Sequence, residues 1–188
     1  MFFMIIPKFI SVDSTLNCLK ITSNIQPKKE IMIKNYLKSD NFAEDFNQIL
    51  KKNFIPIKKI KLILINLGPG SYAGIRNVLS SIKVFALLNK ILIVGFTNYD
   101  LMKVMNLNKK NKLKIIIYFN KKFYLKNKKN INLDAFQKII KKQKVISNYE
   151  THTALEKKNI IPFEYNVQTI ENIIKKRLYI QRKITPYY

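Results

Sequence analysis

The chain holds one cysteine, Cys18, and one histidine, His152, so it can form no intramolecular disulfide and no His/Cys cluster for zinc or iron. A Ser/His or Cys/His nucleophile pair would have to recruit His152, in "ETHTAL", which reads instead as a surface or helix-cap residue. A single cysteine also points to a reducing compartment. Acidic residues are scarce: 11 Asp and Glu stand against 35 Lys and Arg, a formal net charge of +24. Such an imbalance disfavours cationic partners and favours polyanions, nucleic acid first and anionic membrane surface second. Long apolar runs are missing too. The opening "MFFMIIPKF" is too short to span a bilayer, lacks a basic segment before it and a small-residue cleavage site after it, and reads as a lead into the first strand. A cytoplasmic protein with no membrane partner is expected.

What is present is enough to fold. With 188 residues, 47% of them hydrophobic, the chain can bury a core in one domain or two small ones and is not a wholly disordered basic protein. The charge has two readings. Lys, Asn and Ile are the residues an AT-rich genome over-uses, and the lysines are spread through "NKKNKLK" (108–114), "KNKKN" (126–130) and "KKQK" (141–144) rather than gathered in one helix or tail. Genome bias and selected RNA binding both fit that spread.

Short apolar-polar alternations at 8–15 and 16–23 predict a hairpin, and "EIMIKNYL" (30–37) a third antiparallel strand after a turn marked by Pro27. In 39–53, Phe42, Ala43, Phe46, Ile49 and Leu50 recur at helical spacing. Ser39, Asp40 or Asn41 can cap that helix, and Lys51 and Lys52 suit its C-terminal end. "IKLILINL" (60–67) and "ILIVGF" (91–96) have the unbroken apolarity of strands covered on both faces. Between them, 72–89 predicts a helix with Ile75, Leu79, Ile82 and Ala86 on one face, and Thr97 or Asn98 can cap a shorter helix through Leu101, Val104 and Met105. Three antiparallel strands, then helix, strand, helix, strand, is the order of a ribonuclease H-like unit. After a polar linker the pattern restarts more weakly. Strands are expected at 113–119 and 122–126, a helix at 133–143, short strands at "KVIS" and "NIIPF", and a last helix at 168–179. The expected division is 1–105 and a smaller, degenerate 106–188.

"GPGSYAGIR" (68–76) concentrates three of the four glycines and one of three arginines. It lacks the Lys-Ser/Thr of a P-loop and the spacing of a dinucleotide fingerprint, and Pro69 removes an N–H that a phosphate nest would use. A tight turn fits better: Gly68 and Gly70 permit positive φ or close approach, and Ser71 can cap the following helix. Gly74 sits in the first helical turn at a cost of about 1 kcal/mol relative to Ala, which implies that something packs closely there. Arg76, where this chain uses Lys by default, suits a site wanting a planar guanidinium, and equally a solvated surface.

The stretch "LGPGSYAGIRNVLSSIKVFA" resembles the GPGSFTGLR-type signature of the bacterial TsaB (YeaZ) family, a subunit in tRNA threonylcarbamoyladenosine biosynthesis, and "FISVDST" resembles that family's first strand. The likeness covers about residues 8 to 105. Tyr72, Ala73 and Asn77 depart from the usual residues, the histidine common in the family's first helix is absent, and "KIIIYFNKKFYL" is only loosely similar to the family's later strand pair. The resemblance implies an actin/Hsp70/sugar-kinase (ASKHA) fold, α/β, built of two tandem ribonuclease H-like halves with a reduced second half. It also implies a non-catalytic scaffold that pairs with the catalytic paralogue TsaD through its first two helices, works with the ATPase subunit TsaE, and meets tRNA through the complex. A homodimer would use the same helices in isolation. The implied interface candidates are Phe42, Phe46, Gly68, Gly70, Ser71, Tyr72, Gly74, Arg76, Val78 and Ser81. No tightly bound cofactor or metal is expected. ATP at the partner interface is the candidate nucleotide, and Asp13, where nucleotide-using members of the fold keep a Mg-linked aspartate, is its candidate residue. "VDSTLN" lacks the glycine such a loop needs, so Asp13 reads chiefly as a strand-end residue. Two other readings remain: a stand-alone RNA-binding module, whose best aromatic and basic stretch is "YFNKKFYLKNKK" (118–129), and a small-molecule kinase of the same fold.

Overall fold

The structure is a computed structural model that describes residues 5–15, 18–34, 36, 41–107, 113–119, 121–125, 128–149, 151–181 and 184–185. Its first half runs β1 (Phe9–Asp13), β2 (Cys18–Ser23), β3 (Lys29–Lys34), α1 (Phe42–Lys52), β4 (Leu62–Asn66), α2 (Tyr72–Leu88), β5 (Leu92–Phe96) and α3 (Asn98–Asn106). The sheet order is β3-β2-β1-β4-β5. The first three strands form an antiparallel meander, while β1, β4 and β5 are parallel, joined through α1 and α2 as crossovers.

The second half repeats this plan. β6 (Lys114–Phe119), β7 (Lys122–Leu125) and β8 (Lys128–Ile131) form the meander; α4 (Leu133–Lys142), β9 (Val145–Ser147), α5 (Ala154–Asn159), β10 (Ile160–Pro162) and α6 (Val167–Lys175) follow. The order β10-β9-β6-β7-β8 is the first sheet's order read from the other side. The expected ribonuclease H-like halves are therefore both there. The second is reduced in the length of its elements and complete in their number: β9 and β10 have 3 residues each and α5 has 6, against 17 in α2.

The compact units do not coincide with the expected halves, 1–105 and 106–188. One compact unit comprises residues 1–97 with 166–188, the other 98–165. The helix that closes each repeat, α3 or α6, thus belongs to the unit built from the other repeat's sheet.

In the first unit, the strand pleat sorts side chains onto two faces. Ile10, Val12, Leu19, Ile21, Ile63 and Ile65 form one face and pack in a cluster with Phe42, Phe46, Ile49 and Leu50 of α1 and Val78, Leu79, Ile82 and Phe85 of α2. The alternate residues Phe9, Ser11, Leu64, Val94 and Phe96 are buried on the opposite face. Along that face runs α6: the Val167 amide donates to Glu30 Oε1 at 3.0 Å, and Lys28 Nζ meets Glu171 Oε1 at 3.1 Å, beside β3. Beyond the helix, Ile180 exchanges both backbone hydrogen bonds with Gly95, on β5 at the other edge of the sheet. Ile184 joins the α1–α2 cluster.

In the second unit, Phe136 and Ile140 of α4 pack on Ile116, Phe123, Val145 and Ile160. On the other face, Tyr99 and Met102 of α3 pack on Ile117 and Ile146.

Candidate functional site at the glycine turn and the second helix

β4 is buried throughout and delivers the chain to the turn at the C-terminal end of the parallel strands. Asn66 Oδ1 accepts from the Gly68 amide at 3.1 Å, and Gly68 has φ 105°, a conformation that only glycine adopts without strain. The Gly68–Pro69 peptide is cis. Gly70 lies directly against the turn that follows β1: a Cβ added there would stand 2.2 Å from the Thr15 carbonyl oxygen. The Ser71 amide donates to that same oxygen at 2.8 Å, and Ser14 Oγ donates to the Gly74 carbonyl at 3.3 Å. Ser71 then caps α2, its Oγ accepting from the Gly74 amide at 3.4 Å. The close packing at Gly70 is thus supplied by the chain's own Thr15, while Gly74, where it was expected, meets the same turn through its carbonyl's bond from Ser14.

Asp13 is buried at the end of β1. Its Oδ1 accepts from the Thr15 amide at 2.8 Å and from Thr15 Oγ1 at 2.7 Å. The carboxylate therefore holds the turn on which Gly70 packs, in keeping with its reading as a strand-end residue. Burial pushes the Cys18 thiol up; neighbouring Lys20 pulls it down and Asp13 adds to the rise, so the thiol stays protonated at neutral pH and is a weak nucleophile. His152 is exposed and stands just before the Thr153 cap of α5. Among the described residues no group of three or more His, Cys, Asp and Glu is placed to hold a metal ion.

The interface candidates divide sharply by exposure. Phe42 is 2% exposed and Phe46 1%; they stack at 5.5 Å, and Phe46 meets Phe85 edge-on at 5.2 Å. Both belong to the protein's own core, as does Val78. Gly68, Gly70 and Gly74 are buried as well, and Ser71 and Ser81 are half-buried. These buried residues shape the turn and helix from beneath and present no surface to a partner. Tyr72 and Arg76 do: Tyr72 is 53% exposed, and Arg76 donates to its hydroxyl at 3.1 Å with the guanidinium 5.9 Å from the ring centre. They line a groove of about 320 Å³ with Ser80, Lys83 and Ile184, where Lys83 Nζ donates to the Ile184 carbonyl at 2.8 Å.

Sequence reasoning missed the most apolar part of this surface. Val84, Leu87 and Leu88, off the buried stripe of α2, are 58%, 79% and 77% exposed. Their signal was present: three large aliphatic residues lie outside the face that Ile75, Leu79, Ile82 and Ala86 define. Ser39 and Asp40, offered as caps of α1, lie outside the described residues; Asn41 takes the cap position with its side chain on Glu44 Oε2 at 2.8 Å.

No family model matches the sequence, and comparison with curated proteins finds none that resembles it. The fold does have relatives. A crystal structure of an uncharacterized protein with similarity to peptidase YeaZ, from Pseudomonas aeruginosa, superposes with a TM-score of 0.63 over 97% of this chain and 99% of that one, at 7% identity. YeaZ from Pseudomonas aeruginosa gives 0.62 over 97% and 100%, also at 7% identity. The chain has the fold of YeaZ. The likeness to YeaZ extends across both repeats, where the motif-level resemblance covered only the first. No described helix is long and apolar enough to cross a membrane.

Proposed function

We propose that this protein is a TsaB-type scaffold: a non-catalytic subunit that pairs with TsaD, together with the ATPase subunit TsaE, in forming N6-threonylcarbamoyladenosine beside the anticodon of tRNA. The observation that carries the reading is the coincidence of two independent likenesses. A glycine signature of the TsaB type stands at residues 68–76, and the whole chain shares the fold of YeaZ from end to end. The engagement of Asp13 by Thr15, and a glycine turn closed on the chain's own backbone, support a structural role for both rather than phosphate binding. ATP, on this reading, meets the chain only where TsaD adjoins it.

The pairing surface is assigned to the outward side of α2, from Tyr72 and Arg76 to Val84, Leu87 and Leu88. Exposed aliphatic side chains on a helix next to an Arg–Tyr pair are what a partner helix can bury. Size-exclusion chromatography with light scattering tests this with the organism's own TsaD. The wild-type chain is expected to form a one-to-one complex, and Val84→Glu with Leu87→Glu to abolish it while circular dichroism stays unchanged. A wild-type chain that never associates with TsaD overturns the reading. The same double substitution should dissolve any homodimer of the isolated chain.

A further inference from the structure

We propose that one pole of the second unit, where its parallel strands begin, is a docking surface for the phosphate backbone of a folded RNA. α4 and α5 each lead into a parallel strand, so both run back across the sheet and end at this pole. Lys141 and Lys142 close α4, Lys157 and Lys158 close α5, and Lys144 leads into β9. Lys114 opens β6 in register with Val145, beside Lys144. All six are exposed, and none of their ammonium groups has a hydrogen-bond or ion-pair partner among the described residues.

The unit's described carboxylates are elsewhere. Asp134 is in the first turn of α4, at the opposite pole, and Glu164 follows β10, its amide donating to Met105 Sδ at 3.4 Å. Asp100 is in the first turn of α3, whose last residue, Asn106, bonds Leu113 just before β6, so Asp100 too is at the far end. Glu156 is buried and accepts from the His152 and Thr153 amides and from Gln137 Nε2. Among the described residues no carboxylate stands on the helix ends and strand starts that carry these six lysines, although lysines also occur elsewhere in the unit, Lys121 and Lys122 at the β6–β7 turn among them. Helix dipoles account for lysines in the last turns of α4 and α5. They do not account for Lys114 and Lys144, nor for the missing carboxylates. A lysine-rich composition alone would leave acids mixed among the bases.

A closely set group of unpaired ammonium groups is the footprint of phosphate-backbone binding, in which each contact releases a counterion. A bilayer fits less well, because α4 turns Phe136 and Ile140 inward and offers no apolar face for insertion. The charge argument stands by itself; the choice of RNA over DNA rests on the tRNA-modifying role proposed above.

Fluorescence anisotropy with a folded tRNA transcript tests the proposal. The variant carrying Gln at Lys141, Lys144, Lys157 and Lys158 is compared with one carrying Gln at Lys51, Lys52, Lys58 and Lys59, of equal net charge, with duplex DNA and phosphatidylserine vesicles as parallel probes. The pole variant is expected to bind tRNA about tenfold more weakly near 0.1 M salt, with a slope of log K against log salt shallower by about 3, while the control changes less than about threefold. Equal losses in both variants, no tRNA binding by the wild type, or loss of vesicle binding alone would overturn the proposal; equal binding of duplex DNA would overturn the choice of RNA. Failure of the wild type to pair with TsaD, with tRNA binding still lost in the pole variant, would sink the scaffold reading and leave this surface standing.

Discussion

The two repeats solve one structural problem with different chemistry. In each, the segment leaving the strand before the second crossover helix must dock on the end of the repeat's first strand. The first repeat does this with backbone: Gly70 sits on Thr15, and the Ser71 amide donates to the Thr15 carbonyl. The second does it with a side chain: Asn148 Oδ1 accepts from the Tyr118 amide at 2.7 Å, and its Nδ2 donates to the Tyr118 carbonyl at 2.8 Å. Glu156 and Thr153 then form a capping box for the short α5. Topology thus constrains where the chain must be held and leaves the means open. Only the glycine solution leaves a conspicuous mark in sequence, because only it needs a residue without a Cβ.

Three substitutions put pressure on this comparison. Gly70→Ala should have the largest effect, about 3 kcal/mol of lost stability, because the new methyl meets backbone that cannot rotate away. Urea unfolding measures it, and a loss under about 1 kcal/mol would mean that the turn is looser than its contacts imply. Asn148→Ala should cost about 2 kcal/mol, since it strips two hydrogen bonds from the end of β6 where the glycine turn has a rigid backbone contact. A cost matching that of Gly70→Ala would make the two devices energetically equal.

Glu156→Gln should have the smallest effect, about 1 kcal/mol at neutral pH, and a distinctive pH profile. Burial pushes this carboxyl up, but hydrogen bonds from the His152 and Thr153 amides, Gln137 and the Thr153 hydroxyl outweigh it and hold the group below its ordinary value of 4.5. A depressed carboxyl contributes stability that is full above the unfolded value and is lost as pH falls through the folded one. Thermal melts of the two proteins should therefore differ at pH 7 and converge as pH drops below about 4.5. A constant difference across that range would show that the ionised form is not what the cap uses.

The helices and strands of the first half, and the Ser71 cap, were legible because each spans enough residues to display its period: the buried stripe of α2 runs from Ile75 to Ala86 as its spacing predicts. Short elements were not. β8, Lys128–Ile131, is too brief and too polar to show alternation, and 126–130 reads as a lysine run. α5 escaped for the same reason. Phe42 and Phe46 were legible as a helical stripe but not as core rather than interface, because periodicity marks an apolar face without saying what covers it.

By itself the amino-acid sequence determined the order of elements in the first repeat, the need for a tight turn at Gly68–Gly70, and an excess of positive charge. These are local properties, set by side-chain period, by backbone sterics and by count. Which terminal helix completes which unit, whether Gly70 meets a partner or the chain's own Thr15, and whether lysines from separate helices and strands come to one end of a sheet were decided only by tertiary structure. Each of those depends on residues far apart in the chain being brought together, and crossover connections that return every helix end to one side of a sheet have no signature in any short window of sequence.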